Sequence, residues 1–265
     1  MPPNGQHRIR PAQFIYDAGQ VEPEHAHDDH QLVYASQGLF CVDTASSRWV
    51  LPPLRAAWVP AHVPHTVTAK TASTMSTLYI DTDTDETTDH TTVMVVSVSP
   101  LLRELILHIS HAALDPDARD HVESVIFDQI SAAPAAPLEL LKLRDQRTRA
   151  IADCLERDPT DDRTLRQFGA VVGANERTLQ RLFAAETGST FGQWRTQVRL
   201  QHGIVALGEG ASVTDAAISS GYHEPSSFIA AFRAAFGTTP GRYFTRVDPE
   251  RGRRDLASRG RRRIG

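Results

Sequence analysis

Two periodicities divide the chain. Short runs rich in Val, Thr, Tyr and Trp recur at 31–36, 39–44, 48–51, 57–59, 66–69, 74–81 and 92–98, each bounded by turn-forming residues. Evenly spaced runs of this kind predict an antiparallel sandwich or small barrel over about residues 14–98. From Ser99-Pro100 the period becomes helical. Leu101, Leu102, Leu105, Ile106 and Ile109 fall on one side of a first helix. Val122, Val125, Ile126 and Ile130 do so on a second, over about 117–132. These stripes suit either packing onto their own sheet or a dimer contact. The Ala/Pro run at 132–137 reads as a linker. Helices are expected after it at about 145–156 and 191–207.

The C-terminal pattern repeats itself. Leu165, Gly169 and Gly173 recur as Val213, Ala217 and Gly221 at a spacing of 48 residues; Leu179, Phe183 and Gly188 recur as Phe228, Phe232 and Gly237 at a spacing of 49. Each copy reads as a short helix, a glycine turn and a second helix, with the turn one residue longer in the second copy. That is helix-turn-helix chemistry. Asn175 suits the N-cap of the second helix in copy one, which buries Leu179, Leu182 and Phe183. Pro225 suits the first turn of its counterpart, with Phe228, Ala231 and Phe232 inward.

Composition adds a charge asymmetry. Residues 1–120 carry 7 Lys/Arg against 15 Asp/Glu, residues 121–162 carry 5 against 9, and residues 163–265 carry 16 against 8. The positive block coincides with the repeat, where phosphate binding would need it. Seven of its arginines crowd positions 251–263, a solvated tail or an auxiliary phosphate-contacting arm. At 265 residues the chain has room for two domains. No apolar run approaches a membrane span and the first residues carry no signal-peptide core, so a cytoplasmic protein without membrane contact is expected. Cys41 and Cys154 lie far apart with no metal-ligand spacing, which fits core positions in a reducing compartment.

The anchors of the repeat carry a resemblance. Leu179-x-Arg181-Leu182-Phe183, Thr187-Gly188, Arg199-Leu200, Ile218-x-x-Gly221-Tyr222, Ser227-Phe228 and Phe232-x-x-x-Phe236-Gly237-x-x-Pro240 resemble the DNA-binding domain of AraC-type transcription regulators over about 145–244. Gly169 departs from the alanine usual there, and Gly203-Ile204 from the usual arginine and alanine. The resemblance implies that the second helix of each copy enters a major groove. With the apolar residues inward, copy one presents Arg177, Gln180 and Arg181. These are candidates for base reading, since Arg suits guanine O6/N7 and Gln suits adenine N6/N7. Copy two presents Ser226, Ile229, Ala230 and Arg233. With Ser227, Ser226 and Arg233 complete the candidate DNA contacts, and this copy is expected to read sequence more weakly.

The N-terminal half holds a second pattern. His25-Ala-His27 with Gln31 and Gly38, then Pro60-Ala-His62-Val-Pro-His65, resembles the two motifs of a cupin barrel, with His62 replacing a usual glycine. The resemblance implies that His25, His27, Gln31 and His65 converge. Three imidazoles and an oxygen would suit Zn²⁺, Fe²⁺ or Ni²⁺. Gln31 stands where cupin enzymes use glutamate, so the set lacks negative charge.

The expected architecture is α+β with two domains: an antiparallel β cupin-like sensor (1–98), linker or dimerisation helices (99–137), an all-α double helix-turn-helix domain (138–246) and a basic tail (247–265). The expected function is a sequence-specific regulator of transcription, not an enzyme, acting on double-stranded DNA as a homodimer and sensing a small molecule or metal. RNA polymerase is a further partner if it activates. A metal-dependent cupin dioxygenase or isomerase fused to a DNA-binding module is the alternative.

Overall fold

Alternation along the strands decides what the first unit buries. The structure, a computed structural model, describes residues 8–82, 91–134 and 139–247. The basic cluster at 251–263 lies outside them. By compactness the chain divides into two units between Glu139 and Leu140.

The first unit begins with β1(Ile9–Tyr16), β2(Val21–His25), β3(His30–Gln37), β4(Phe40–Asp43) and β5(Ser47–Leu51). It continues with β6(Arg55–Val59), β7(His65–Ala69), β8(Ser73–Ile80), β9(Met94–Ser97), α1(Pro100–His111) and α2(Pro116–Ser131). One antiparallel sheet runs β1-β8-β3-β6-β9; the other runs β5-β4-β7-β2, and beyond β5 the chain leaves the unit through a strand beginning at Glu139. β1 starts earlier than the expected first residue of the barrel, and β2 was not expected at all. Pro23 and two glutamates mask β2 as a strand, but an edge strand tolerates proline.

The sheet of β3 is covered on both faces, which is why β3 is buried over five consecutive residues, from Gln31 to Ala35. Leu32, Tyr34, Trp58, Leu78 and Ile80 turn outward and share a core with Leu102, Ile106 and Ile109 of α1 and Ile126, Phe127 and Ile130 of α2. The helical stripes therefore pack on their own sheet. The alternate residues turn toward the second sheet: Tyr16 meets Phe40 edge-on at 5.3 Å, and Gln31 reaches His65. Glu123 of α2, fully buried, is held by Arg119 at 2.9 Å and by the backbone N–H of Arg8 at 3.2 Å. This pairing is what permits a carboxylate there.

The second unit is helical: after β10(Glu139–Leu141) come α3(Gln146–Arg157), α4(Leu165–Val172), α5(Glu176–Thr187), α6(Phe191–Gly208), α7(Val213–Ser219), α8(Pro225–Phe236) and α9(Pro240–Val247). Ile151, Leu155, Leu165, Phe168, Leu179, Phe183, Phe191, Trp194 and Val198 form one core around α4 and α5. Along α8, Phe228 meets Phe232 edge-on, Phe232 stacks on Phe236, and these last two meet Tyr243 of α9.

Candidate functional site

In the second unit the reading helices begin as their N-caps dictate. The Asn175 side chain accepts the Thr178 N–H at 2.8 Å, and Thr164 with Gln167 forms a capping box at the start of α4. Both departures from the family pattern are close approaches. A Cβ on Gly169 would stand 2.3 Å from the Ala174 carbonyl, in the turn between α4 and α5. One on Gly203 would stand 2.4 Å from the Phe228 ring, so glycine lets α8 lie directly on α6.

Burial leaves Arg177, Gln180, Arg181, Ser226, Ser227 and Arg233 exposed, as their helical phase predicts. Leu182 and Ala231 are only partly buried, not core residues as their spacing suggested. Glu176 accepts from Gln180 Nε2 at 3.3 Å and from Arg166 Nε at 3.3 Å, holding two polar side chains at the start of α5. Glu186, near the other end of α5, accepts the backbone N–H groups of Arg144 at 3.1 Å and Asp145 at 2.9 Å and so pins α5 to α3. Arg199 ties the copies together: its Nε donates to the Pro159 carbonyl at 2.9 Å and its terminal N–H to Asp162 at 2.6 Å, while His223 lies 2.9 Å from the same carboxylate. Sequence reasoning named Arg199 only as a family match; its partners lie 37 and 40 residues away, beyond any local signal.

In the first unit, His25 and His65 face each other across β2 and β7, and His27 follows in the loop after β2. Their ligand atoms all lie within 4.8 Å of one another. His65 Nδ1 lies 3.0 Å from the Val63 carbonyl and His25 Nδ1 2.6 Å from that of Pro23. If these Nδ1 atoms carry the protons, each Nε2 keeps its lone pair, the arrangement of a metal-ligating imidazole. His27 Nε2 is buried and has no hydrogen-bond partner among the described residues. Burial, opposed by the Val63 carbonyl and reinforced by the other two imidazoles, pushes His65 down to about 4, and burial followed by His25 also lowers His27. Both rings are thus suited to remain neutral and available. Gln31 joins them, with Oε1 3.1 Å from His65 Nε2. With the proton on Nε2 the imidazole donates to the amide oxygen; with it on Nδ1 the two acceptors need a turned amide or a cation between them. The four residues fit a divalent transition metal.

Tyr79 is the pocket residue that sequence reasoning missed. It lies opposite Gln31 in the β3–β8 register, is hydrogen-bonded to it, and meets His27 edge-on at 4.9 Å. No local signal marks it, because its inward turn is set by pairing with Gln31 across β3 and β8. His62 takes a left-handed φ of 62°, a conformation that suits the glycine usual there, and its N–H donates to the His27 carbonyl at 2.8 Å.

A β domain with a polar inner pocket, followed by two helix-turn-helix units around one connecting helix, defines a ligand-responsive DNA-binding protein. A family model described as an AraC-like ligand binding domain matches residues 3–120, and one described as a helix-turn-helix domain matches 168–246. The chain is 30% identical over 249 residues to the HTH-type transcriptional regulator NimR of Escherichia coli (strain K12), covering 91% of this chain and 90% of that one. It is 34% identical over 100 residues to the HTH-type transcriptional regulator RipA of Corynebacterium glutamicum, covering 38% of this chain and 30% of that one. The chain belongs to the AraC-type family of transcription regulators and carries its N-terminal ligand-binding domain. Among solved structures, fatty-acid-bound ToxT of Vibrio cholerae aligns over 92% of this chain and 97% of that one, at 11% identity and a TM-score of 0.39. At that score the likeness carries no argument about the pocket. Among the described residues no helix is long and apolar enough to cross a membrane.

Proposed function

We propose that this regulator responds to a divalent transition metal held by His25, His27 and His65, with Gln31 as a neutral oxygen ligand. The buried Nε2 of His27, beside two imidazoles and without a hydrogen-bond partner among the described residues, carries the reading, because a polar atom left without a partner in the interior costs free energy that a metal bond would offset. Arg177, Gln180 and Arg181 read bases in one major groove. Ser226, Ser227 and Arg233 make mainly phosphate contacts in the next. Leu101 and Val125, half-exposed after α1 and α2 have packed on their sheet, supply the homodimer contact. The protein is not an enzyme: metal occupancy changes its affinity for DNA or the spacing of the dimer.

The test strips the full-length protein with a chelator and returns Zn²⁺, Fe²⁺ or Ni²⁺ in turn. Bound metal is measured by elemental analysis and affinity for a mapped operator by titration. The expected result is one ion per chain with one of these metals, lost in His65→Ala, and a change of affinity on loading. Substoichiometric metal that is the same in wild type and His65→Ala would make the effector an organic molecule.

A further inference from the structure

The four ligands of the metal pocket are all neutral, and Asp28, inside the first motif, is fully exposed with its carboxylate 3.6 Å from His62. A cation of charge +2 surrounded by these ligands in a partly buried site is poorly compensated. A carboxylate outside both motifs is turned toward it. β2 pairs with β7 so that Glu22 lies opposite Val67 and His25 opposite His65, with a register shift between the two pairs. Residues directly opposite one another share a face. Val67 is 2% exposed and His65 1%, so both belong to the inner face, and Glu22 and His25 are turned to it as well. An odd separation in a regular strand would place Glu22 and His25 on opposite faces. The extra residue of the bulge removes that mismatch. The same bulge brings the Pro23 carbonyl within 2.6 Å of His25 Nδ1. One irregularity therefore aims an acid and orients an imidazole.

We propose that Glu22 is the anionic member of the pocket, supplying to a cation on His25, His27 and His65 the negative charge that the Gln31 amide lacks. This rests on the metal reading above. After burial, the charge of Glu22 is the next cause raising the Tyr16 hydroxyl at the end of β1. Glu24, next to His25 on the strand, is turned to the opposite face and serves as the control. Glu22 is also solvent-exposed, which gives a hydrated ion a route to the histidines from the side of the acid.

Co²⁺ titration of chelator-stripped full-length protein, followed by its visible absorption and by Zn²⁺ competition, tests the assignment. Wild type and Glu24→Gln should bind one ion alike. Glu22→Gln should bind at least about tenfold more weakly, the scale on which losing an oriented partner of a metal site acts. The double variant Glu22→Gln/Gln31→Glu, which returns one carboxylate at a different position, should recover affinity. If wild type binds and Glu22→Gln binds equally well, Glu22 has no such role while the metal reading stands. If the double variant stays as weak as Glu22→Gln, the loss came from structure and not from charge, and the proposal falls. If wild type binds no ion, the metal reading fails and the proposal with it.

Discussion

The two helix-turn-helix copies share a scaffold and differ on the surface they offer. Gly173 stands two residues before the N-cap Asn175, whereas Gly221 stands three before Glu224, and in both copies fully buried aromatic rings hold the second helix from below. Outward, α5 presents Arg177 and Arg181, whose guanidinium groups make no hydrogen bond or ion pair among the described residues, and Gln180 held by Glu176. The outward face of α8 carries Ser226, Ser227, Ala230 and Arg233. Duplicated packing with divergent faces means that stability substitutions should affect the copies alike and DNA-reading substitutions should not.

The largest effect tests the shared scaffold. Phe183 and Phe232 are both fully buried, Phe183 against Phe191 at 5.1 Å and Trp194 at 5.5 Å, and Phe232 stacked on Phe236 at 4.4 Å. Truncating either to alanine should cost about 3–5 kcal/mol of stability, the range for a buried aromatic leaving a cavity. Chemical denaturation followed by circular dichroism measures it. A loss under about 1 kcal/mol in one copy alone would show that copy to be loosely packed, and the comparison would break at its base.

The next effect separates the faces. Arg181→Ala should weaken binding to the specific operator by about 1–3 kcal/mol and to unrelated DNA by much less, as for a lost base contact. Arg233→Ala should weaken both DNAs by similar amounts and reduce the salt dependence of binding, as for a phosphate contact. Equal losses on both DNAs for Arg181→Ala would make α5 a backbone-binding helix and erase the difference between the copies.

What could be read from the residues alone follows the same division. Both reading helices were legible because their anchors recur at fixed offsets, and a buried leucine or phenylalanine in each turn fixes which residues face out. The histidine cluster was legible because its residues lie close together in two short motifs. Tyr79 and Glu22 were not. They reach the pocket by cross-strand register, which no local pattern encodes, and the bulge after Glu22 breaks the period of two that would have marked β2. Glu123 escaped for a related reason: Arg119 is its i,i+4 neighbour on α2, but burial and the Arg8 N–H come only with β1 packing beside that helix, and a glutamate in a helical stripe reads as solvated surface. Why Gly169 and Gly203 replace larger residues also required the neighbouring chain, because the atoms a side chain would strike belong to Ala174 and Phe228.

The smallest effect concerns how each reading helix starts. Asn175 gives α5 a side-chain acceptor for the Thr178 N–H, while Glu224 precedes Pro225 with no side-chain cap bond, leaving the start of α8 to the proline at its first position. Replacing Asn175 by alanine should therefore cost about 0.5–2 kcal/mol and speed amide exchange in the first turn of α5. Replacing Glu224 by alanine should change little, since no cap bond is lost. Glu224→Ser should gain up to about 1 kcal/mol, because the extended backbone at that position, with φ −120° and ψ 126°, already suits a capping hydroxyl. Hydrogen exchange resolved to the first turns of α5 and α8 reads all three variants at once. If Glu224→Ala opened α8 as much as Asn175→Ala opens α5, the glutamate would be acting on the helix through its charge at the positive end of the dipole, and the starts of the two helices would be equivalent in energy though different in chemistry.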